Sequence, residues 1–184
     1  LFGIGSFVNS ILSYDIIQIR NSNTWFHYLG GLLTVGFTVA GIGTNIGHEL
    51  VHRTKDIISL TIGRWLLSMS CNADFSIEHV YGHHVNVCTD NDPASAKKGE
   101  NVYYFSVKSS LLGHISAWRI EIDRLKKKNF SLISFNNKIL TGYLMSLSWF
   151  ILFYMGGGLF GIFLFILQAI IAKFILEIVN YFEH

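Results

Sequence analysis

Two long uncharged segments constrain the fold of this chain more than any other feature. Residues 25–47 contain no Lys, Arg, Asp or Glu over 23 positions, and residues 139–172 contain none over 34 positions. A helix rises about 1.5 Å per residue, so the first segment is long enough to cross a hydrocarbon core of about 30 Å once. The second would be about 51 Å long as a single helix, which exceeds one crossing. The sequence therefore predicts membrane-spanning helices.

The second uncharged segment carries three consecutive glycines, Gly156, Gly157 and Gly158. Glycine is unfavourable in the interior of a helix and readily adopts turn conformations. We therefore expect two helices that reverse direction there as a tight hairpin, with charged groups such as Glu183 emerging at the end of the second arm. The predicted fold is an all-α, polytopic transmembrane helical bundle.

Polar residues are concentrated between the apolar segments. Hydrophobic residues make up 51% of the chain and charged residues only 14%, which is unusual for a soluble domain. Residues 48–138 nevertheless hold 12 of the 14 Lys and Arg and six of the eight His. The net charge is only +2, and no basic surface is interleaved with aromatic residues, so nucleic acid is not a predicted partner. The chemistry is therefore expected in this middle region.

A basic run precedes the predicted hairpin and comprises Arg119, Arg124, Lys126, Lys127 and Lys128. The positive-inside rule places such runs in the cytoplasm. We therefore expect the histidine-bearing helices described next to lie on the cytoplasmic side of the membrane.

The first histidine motif follows the first apolar segment directly and contains His48, Glu49 and His52. Residues i and i+4 share a helix face, so the two histidines can converge on one metal ion. Residues 48–52 also form the HExxH signature of zinc proteases, in which the glutamate activates water. A membrane zinc metalloprotease is therefore one alternative.

The second motif adds Glu78, His79, His83 and His84. At 100° per residue, His79 and His83 lie about 40° apart on a helix, and His84 is rotated about 100° further, so that one helix could address two metal ions. Three more imidazoles exceed the needs of a simple zinc protease. The two motifs together favour a dinuclear metal site.

A third group stands at the end of the second apolar segment, where His184 follows Glu177 and Glu183. Imidazole binds Fe, Zn, Cu and Ni, so the ligand type alone does not select the metal. We expect four carboxylates to accept the second ring N–H of ligating histidines, namely Glu49, Glu78, Glu177 and Glu183. The predicted metal ligands are His48, His52, His79, His83, His84 and His184.

Two histidines lie outside these groups. His27 is close to Trp25 and Tyr28 at a predicted membrane interface and is expected to anchor the helix there. His114 has no histidine partner at helical spacing, and a structural role is predicted for it.

Four segments of the chain resemble the integral-membrane alkane hydroxylases. Residues 47–53 resemble the first histidine box of that family, and residues 78–84 match its second box, EHxxGHH. Residues 92–96 resemble its DPASA segment, and residues 180–184 resemble the start of its NYxEHYGL motif. The order and spacing of these segments extend over nearly the whole chain.

The resemblance implies an alkane 1-monooxygenase with two non-haem iron ions, which uses O2 to convert the terminal carbon of medium- or long-chain alkanes to a primary alcohol. It implies rubredoxin as the electron donor, substrate taken from the lipid bilayer, and a place in the bacterial inner membrane with the active site on the cytoplasmic side. Residues 1–184 would then be a fragment of a single membrane-bound di-iron oxygenase domain, lacking N-terminal spans and the final histidine box.

Alternatives remain at this point. Fatty acid desaturases and the xylene and sterol hydroxylases share the histidine-box plan, so a related hydroxylase or desaturase of fatty acyl or aromatic methyl substrates is the second interpretation. A zinc metalloprotease is the third. A non-enzymatic metal transporter would place imidazoles along a transmembrane path, whereas here they cluster near helix ends and in the region between the spans.

Overall fold

The computed structural model describes residues 25–183, and within them every regular element is helical. The predicted all-α class is therefore confirmed for this part of the chain. The predicted ligand His184 lies outside the described residues. In chain order the elements are α1 (Trp25–Thr38), the π-helical segment π1 (Val39–Thr44), α2 (Asn45–Val51), α3 (Ile57–Ser68), α4 (Phe75–Glu78), the π-helical segment π2 (His79–His83), α5 (His84–Asn86), α6 (Val102–Lys127) and α7 (Lys138–Glu183).

Two helical stretches are long and apolar enough to cross a membrane. The first runs from Trp25 to Val51 through α1, π1 and α2, and the second is α7. The two pack directly against each other, since a Cβ atom added to Gly36 of α1 would lie 2.8 Å from Cγ2 of Ile171 in α7. The two apolar stretches predicted from the sequence are therefore helical and pack against each other.

Helix α7 is two helices joined at a sharp break. Gly158 has φ 60° and ψ −144°, a backbone conformation that only glycine adopts readily. Phe165 in the second arm contacts Phe150 and Phe153 in the first, with ring centroids 4.7 Å and 4.9 Å apart. The two arms therefore pack antiparallel, and the predicted reversal at the glycine triplet is confirmed.

Substituting Gly158 with alanine is expected to destabilise the protein by about 1–3 kcal/mol, because a Cβ atom makes this backbone conformation strained. Thermal unfolding of the purified full-length protein in detergent measures the effect. Gly157→Ala is the matched control, since a Cβ atom at Gly157 has nothing within 4 Å and its φ is not positive. Equal melting temperatures for the two variants would contradict the prediction.

Contacts along the second arm of the hairpin orient the first span. Tyr28, near the start of α1, packs edge-on against Phe160 at the hairpin tip, with centroids 5.2 Å apart. Further from the tip, Gly36 of α1 packs against Ile171 in the second arm of α7. The end of the first span that carries His48 therefore lies at the same end as both termini of α7.

A buried polar junction joins α3, α6 and the start of α7. Glu121 is fully buried, and its carboxylate accepts two hydrogen bonds of 2.7 Å from Arg124 and one of 2.5 Å from the backbone N–H of Lys138. Arg64 of α3 donates to the carbonyl of Lys138 and, at 2.9 Å, to the hydroxyl of Thr141. Because Glu121 is paired with Arg124 and both Glu121 and Arg64 form hydrogen bonds to residues 138–141, the junction holds the first turn of α7 in place.

Candidate metal centre

The first histidine motif is positioned by a close helix crossing. Helix α2 packs on α3 so tightly that a Cβ atom added to Gly63 would lie 2.9 Å from the carbonyl oxygen of Gly47. His48 follows Gly47 directly, and its ring centroid lies 4.8 Å from that of His52. The i, i+4 spacing therefore places both imidazoles on one side of this short helix, as predicted.

His79 is the centre of the histidine cluster. Its Nε2 lies 2.6 Å from Nε2 of His48, and the two rings are nearly perpendicular. One ligand atom each from His48, His52 and His79 can be chosen so that all three lie within 4.8 Å of one another. Imidazoles that are 31 residues apart in sequence thus converge on a common point, as expected for ligands of one metal ion.

The second motif differs from prediction because residues His79–His83 are π-helical. A π-helix closes hydrogen bonds from i to i+5, and here the backbone N–H of His84 donates to the carbonyl of His79. Nε2 of His84 consequently lies 3.1 Å from Nε2 of His79. The prediction from 100° per residue, which turned His84 away from His79, is wrong. The wider turn brings His84 into the cluster.

The separation of the His79 and His84 ring nitrogens suits coordination of one metal ion. Two nitrogens bound to one ion at 2.0–2.1 Å are roughly 3 Å apart, close to the separation of the His79 and His84 Nε2 atoms. Burial, followed by the neighbouring imidazoles, lowers the pKa of His79 to about 2. The neutral imidazole that binds metals is therefore its form at neutral pH. The residues present fit a metal site built from neutral imidazoles.

His83 is oriented by a carboxylate that sequence reasoning did not assign to the site. Nδ1 of His83 lies 2.9 Å from Oδ2 of Asp92, and both side chains are buried. A carboxylate only accepts, so Nδ1 donates and the lone pair of the ring stays on Nε2. Asp92 is itself held by the backbone N–H of Ala94 and the hydroxyl of Ser95. Asp92 thus sets the tautomer and orientation of a predicted ligand.

Replacing Asp92 with alanine is expected to weaken metal binding by about 10- to 100-fold, the usual effect of losing a carboxylate that orients a ligating histidine. Competition with a chelator in the full-length protein measures this affinity. Asp90→Ala is the control. Asp90 is exposed, and the one ion pair that it forms within residues 25–183 is with exposed Lys97, at 3.1 Å. Unchanged affinity in Asp92→Ala would show that His83 does not depend on this carboxylate.

The four carboxylates predicted to support the ligands lie in different surroundings. Glu49 is exposed and lies 3.9 Å from Arg53. Glu78 is buried, and burial, followed by the charge of Asp92, raises its pKa to about 7.

The other two carboxylates lie in α7. Glu177 is buried and accepts a 3.1 Å hydrogen bond from Ser110. Glu183 is exposed, yet close enough to His48 for an electrostatic interaction. Their assignment to ligating histidines stays a prediction.

The model of the fatty acid desaturase family matches residues 23–184 of this chain. All four resembling segments lie within that range, and so do all six predicted ligands.

Curated relatives are also similar to the chain. It is 37% identical over 160 residues to alkane 1-monooxygenase 1 of Pseudomonas aeruginosa, covering 87% of this chain and 42% of that protein. It is 36% identical over 157 residues to alkane 1-monooxygenase 2 of Alcanivorax borkumensis, covering 85% and 41%. It is 29% identical over 141 residues to the xylene/toluene monooxygenase hydroxylase component of Pseudomonas putida, covering 76% and 37%. The chain thus spans less than half the length of these relatives.

Proposed function

Because this chain belongs to the fatty acid desaturase family, we propose that it is part of an alkane 1-monooxygenase, which hydroxylates the terminal carbon of medium- or long-chain alkanes to primary alcohols. The observation that carries this proposal is the convergence of imidazoles from α2 and π2 at one end of the apolar spans. An alkane has no polar group, so an enzyme for it must take it from an apolar phase and bring it to a polar reaction centre. Spans that end at a histidine cluster suit that task.

We assign six histidines as ligands of two non-haem iron ions: His48, His52, His79, His83, His84 and His184. When bound, the iron pair would supply the chemistry that activates dioxygen. The chain itself holds neutral imidazoles in position, with the Asp92 carboxylate setting the tautomer of His83. Glu49, Glu78, Glu177 and Glu183 are proposed to act on other ligands in the same way.

The membrane placement is part of the proposal. The end of the first span and both ends of α7 lie on one side, and α6, which carries most of the basic run, is joined to the start of α7 by the hydrogen bond from the Lys138 N–H to Glu121. We propose a polytopic bundle in the bacterial inner membrane with the histidine cluster facing the cytoplasm. Residues 1–184 would be part of a single di-iron oxygenase domain, with further spans and a final histidine box elsewhere in a longer protein. The lengths of the relatives support this.

The overall reaction requires two electrons and two protons. An alkane, O2, two electrons and two protons give a primary alcohol and water. We propose that the electrons come from rubredoxin, as the resemblance to the alkane hydroxylases implies. The similarity to a xylene/toluene hydroxylase component keeps a related hydroxylase of aromatic methyl or fatty acyl substrates as the alternative.

A zinc peptidase is the second candidate, because His48, His52 and His79 could hold a single zinc ion. In that case Glu49 would be the base that activates water. The Glu49 side chain is instead 72% exposed and pairs with Arg53. His84 also contributes a fourth imidazole beside His79, where a catalytic zinc site keeps a position open for water. The geometry therefore favours the oxygenase.

The proposed function is tested with the full-length enzyme, its reduced electron donor and an n-alkane under ¹⁸O2. The expected product is a primary alcohol that carries one ¹⁸O atom, and the same reaction under ¹⁶O2 in labelled water should give unlabelled alcohol. Label from water, or an enzyme that holds iron and forms no oxygenated product from alkane, fatty acyl or aromatic methyl substrates, would overturn the proposal.

A further inference from the structure

A chain of side-chain hydrogen bonds connects the surface of α6 and α7 to the buried start of α4. The indole N–H of Trp118 donates to the Tyr143 hydroxyl at 2.9 Å. That hydroxyl lies 2.9 Å from Nε2 of His114, and Nδ1 of His114 lies 2.7 Å from Oδ2 of Asp74. Asp74 and His114 are 40 residues apart, and His114 and Tyr143 are 29 apart, so tertiary structure aligns the chain.

The chemistry of the donors gives this chain a direction. An indole N–H can only donate, so the Tyr143 oxygen accepts from Trp118 and can turn its own proton towards His114. A carboxylate only accepts, so Nδ1 of His114 carries the proton that faces Asp74. The imidazole therefore presents a lone pair to Tyr143 and an N–H to Asp74. In this arrangement a proton taken up at one nitrogen releases a proton from the other.

The inner end of the chain opens on a small polar cavity next to the histidine cluster. The cavity has a volume of about 30 Å³, enough for about one water molecule. Asp74 and Glu78 both line it and are only 8% and 7% exposed. Oε1 of Glu78 has no hydrogen-bond partner among the described residues. His114 also lines the cavity directly, and the rest of the wall includes His79, Ser109, Lys173, Glu177 and Asn180.

The outer end of the chain lies on the surface of the protein. Tyr143 is 43% exposed and the His114 side chain is 39% exposed. Tyr143 stands only five residues after Lys138, at the end of α7 that also carries the polar junction. Tyrosine and tryptophan are enriched at membrane–water interfaces. The chain thus connects an interfacial surface with a cavity that borders His79.

We propose that Tyr143, His114 and Asp74 form a proton-delivery path from the membrane interface to the metal centre. This inference rests on the proposed function, because monooxygenation consumes two protons per turnover. In each transfer the O–H bond of Tyr143 breaks as an N–H bond forms at Nε2 of His114, and the Nδ1–H bond breaks as its proton passes to the Asp74 carboxylate. Tyr143 then regains a proton from water, Asp74 releases its proton into the cavity, and the imidazole returns to its starting tautomer by proton exchange with water. No residue is oxidised or reduced in these transfers. The two electrons reach the metal centre by another route, from the proposed donor rubredoxin.

The surroundings of His114 agree with this role. The hydrogen bond to Asp74 is the largest cause of the raised pKa of His114, while burial and the charge of Lys173 oppose it. The His114 imidazole is hydrogen-bonded at both nitrogens, to an exposed hydroxyl and to a buried carboxylate. It can therefore accept a proton at one nitrogen and donate one from the other. The structural role predicted for His114 is thereby extended to a functional one.

The test uses the full-length enzyme in liposomes with its reduced electron carrier, and compares Tyr143→Phe and His114→Gln with the wild type. Proton transfer by positioned side chains contributes on the order of 10²-fold or more to such reactions. We expect each variant to lower kcat at least ~10-fold, at unchanged iron content and KM, and to increase the solvent deuterium isotope effect on kcat. Tyr104→Phe is the control for Tyr143, since Tyr104 is 64% exposed and outside the path.

A second measurement is independent of catalysis. Deuterium exchange at C2 of individual histidines in the metal-free protein reports their protonation, and Asp74→Asn is expected to lower the exchange midpoint of His114. An unchanged midpoint would show that the Asp74–His114 hydrogen bond is absent, which overturns the path. Wild-type kcat and isotope effect in both variants of an enzyme that hydroxylates alkanes would overturn the path alone. An iron-loaded wild type that forms no alcohol would overturn the proposed function, and the path with it.

Discussion

Replacing His79 with alanine in the full-length enzyme is expected to remove at least one iron per chain and to reduce alkane hydroxylation below detection. His79 lies against His48 and His84 at Nε2 separations of 2.6 Å and 3.1 Å, and its ring is 5.2 Å from that of His52. A ligand in this central position cannot be replaced by a neighbour without moving a helix. Metal content by mass spectrometry and alcohol formation by gas chromatography measure the two effects on the same preparation.

The matched control for this prediction is His27→Ala. His27 is exposed near the start of the first span, at the end of the molecule opposite the histidine cluster. Its replacement is expected to leave iron content and turnover within about twofold of the wild type, as for surface substitutions away from a site. If His79→Ala retains the wild-type iron content and activity, the assignment of the cluster as a metal centre is wrong.

Replacing Gly63 with valine is expected to separate α2 from α3 and so to reduce iron binding, although Gly63 itself is not a ligand. A Cβ atom at Gly63 would lie 2.9 Å from both the Gly47 carbonyl oxygen and Cγ1 of Val51. The oxygen belongs to the backbone, so the clash cannot be relieved by rotating a side chain. Overpacking of this kind costs about 1–3 kcal/mol. Because His48 is the next residue after Gly47, iron content should fall together with the melting temperature.

Gly30→Val provides the comparison for Gly63, because a Cβ atom at Gly30 has nothing within 4 Å. The two variants add the same side chain to helices of the same protein. We expect the Gly30 variant to bind iron normally and to melt close to the wild type. Normal iron binding in the Gly63 variant would mean that the α2–α3 crossing does not position His48.

The spans and the hairpin could be predicted because their causes are local. Residues 25–47 and 139–172 lack charges without interruption, and three successive glycines weaken a helix. The structure breaks α7 at Gly158, the last of them. The convergence of His48 with His52 was predictable for the same reason, since i, i+4 spacing on a helix is a local rule.

The geometry of the second histidine motif could not be predicted from spacing. Angular positions calculated for an α-helix apply only if the helix has 3.6 residues per turn, and π2 does not. The wider turn brings the ring of His84 to 4.5 Å from that of His79, while the ring of His83 lies 5.1 Å from it. This places His84 in the cluster and directs His83 towards Asp92.

The supporting polar contacts also required the tertiary structure. Asp92 follows Asn91 and precedes Pro93, a pattern typical of a turn, and nothing local indicates that its carboxylate holds His83. The contact between His114 and Asp74 joins α6 to the residue just before α4. Such contacts depend on how α4 and α6 pack. Only the resemblance to the alkane hydroxylases, through residues 92–96, indicated before the structure that the segment around Asp92 matters.

The central claim is that imidazoles from separate helices share a pair of metal ions, and the metal content of the full-length protein tests it most directly. Purified from iron-supplied cells and analysed by mass spectrometry, the protein is predicted to contain two iron ions per chain and no stoichiometric zinc. One equivalent of zinc without iron would contradict the account and would favour the peptidase instead.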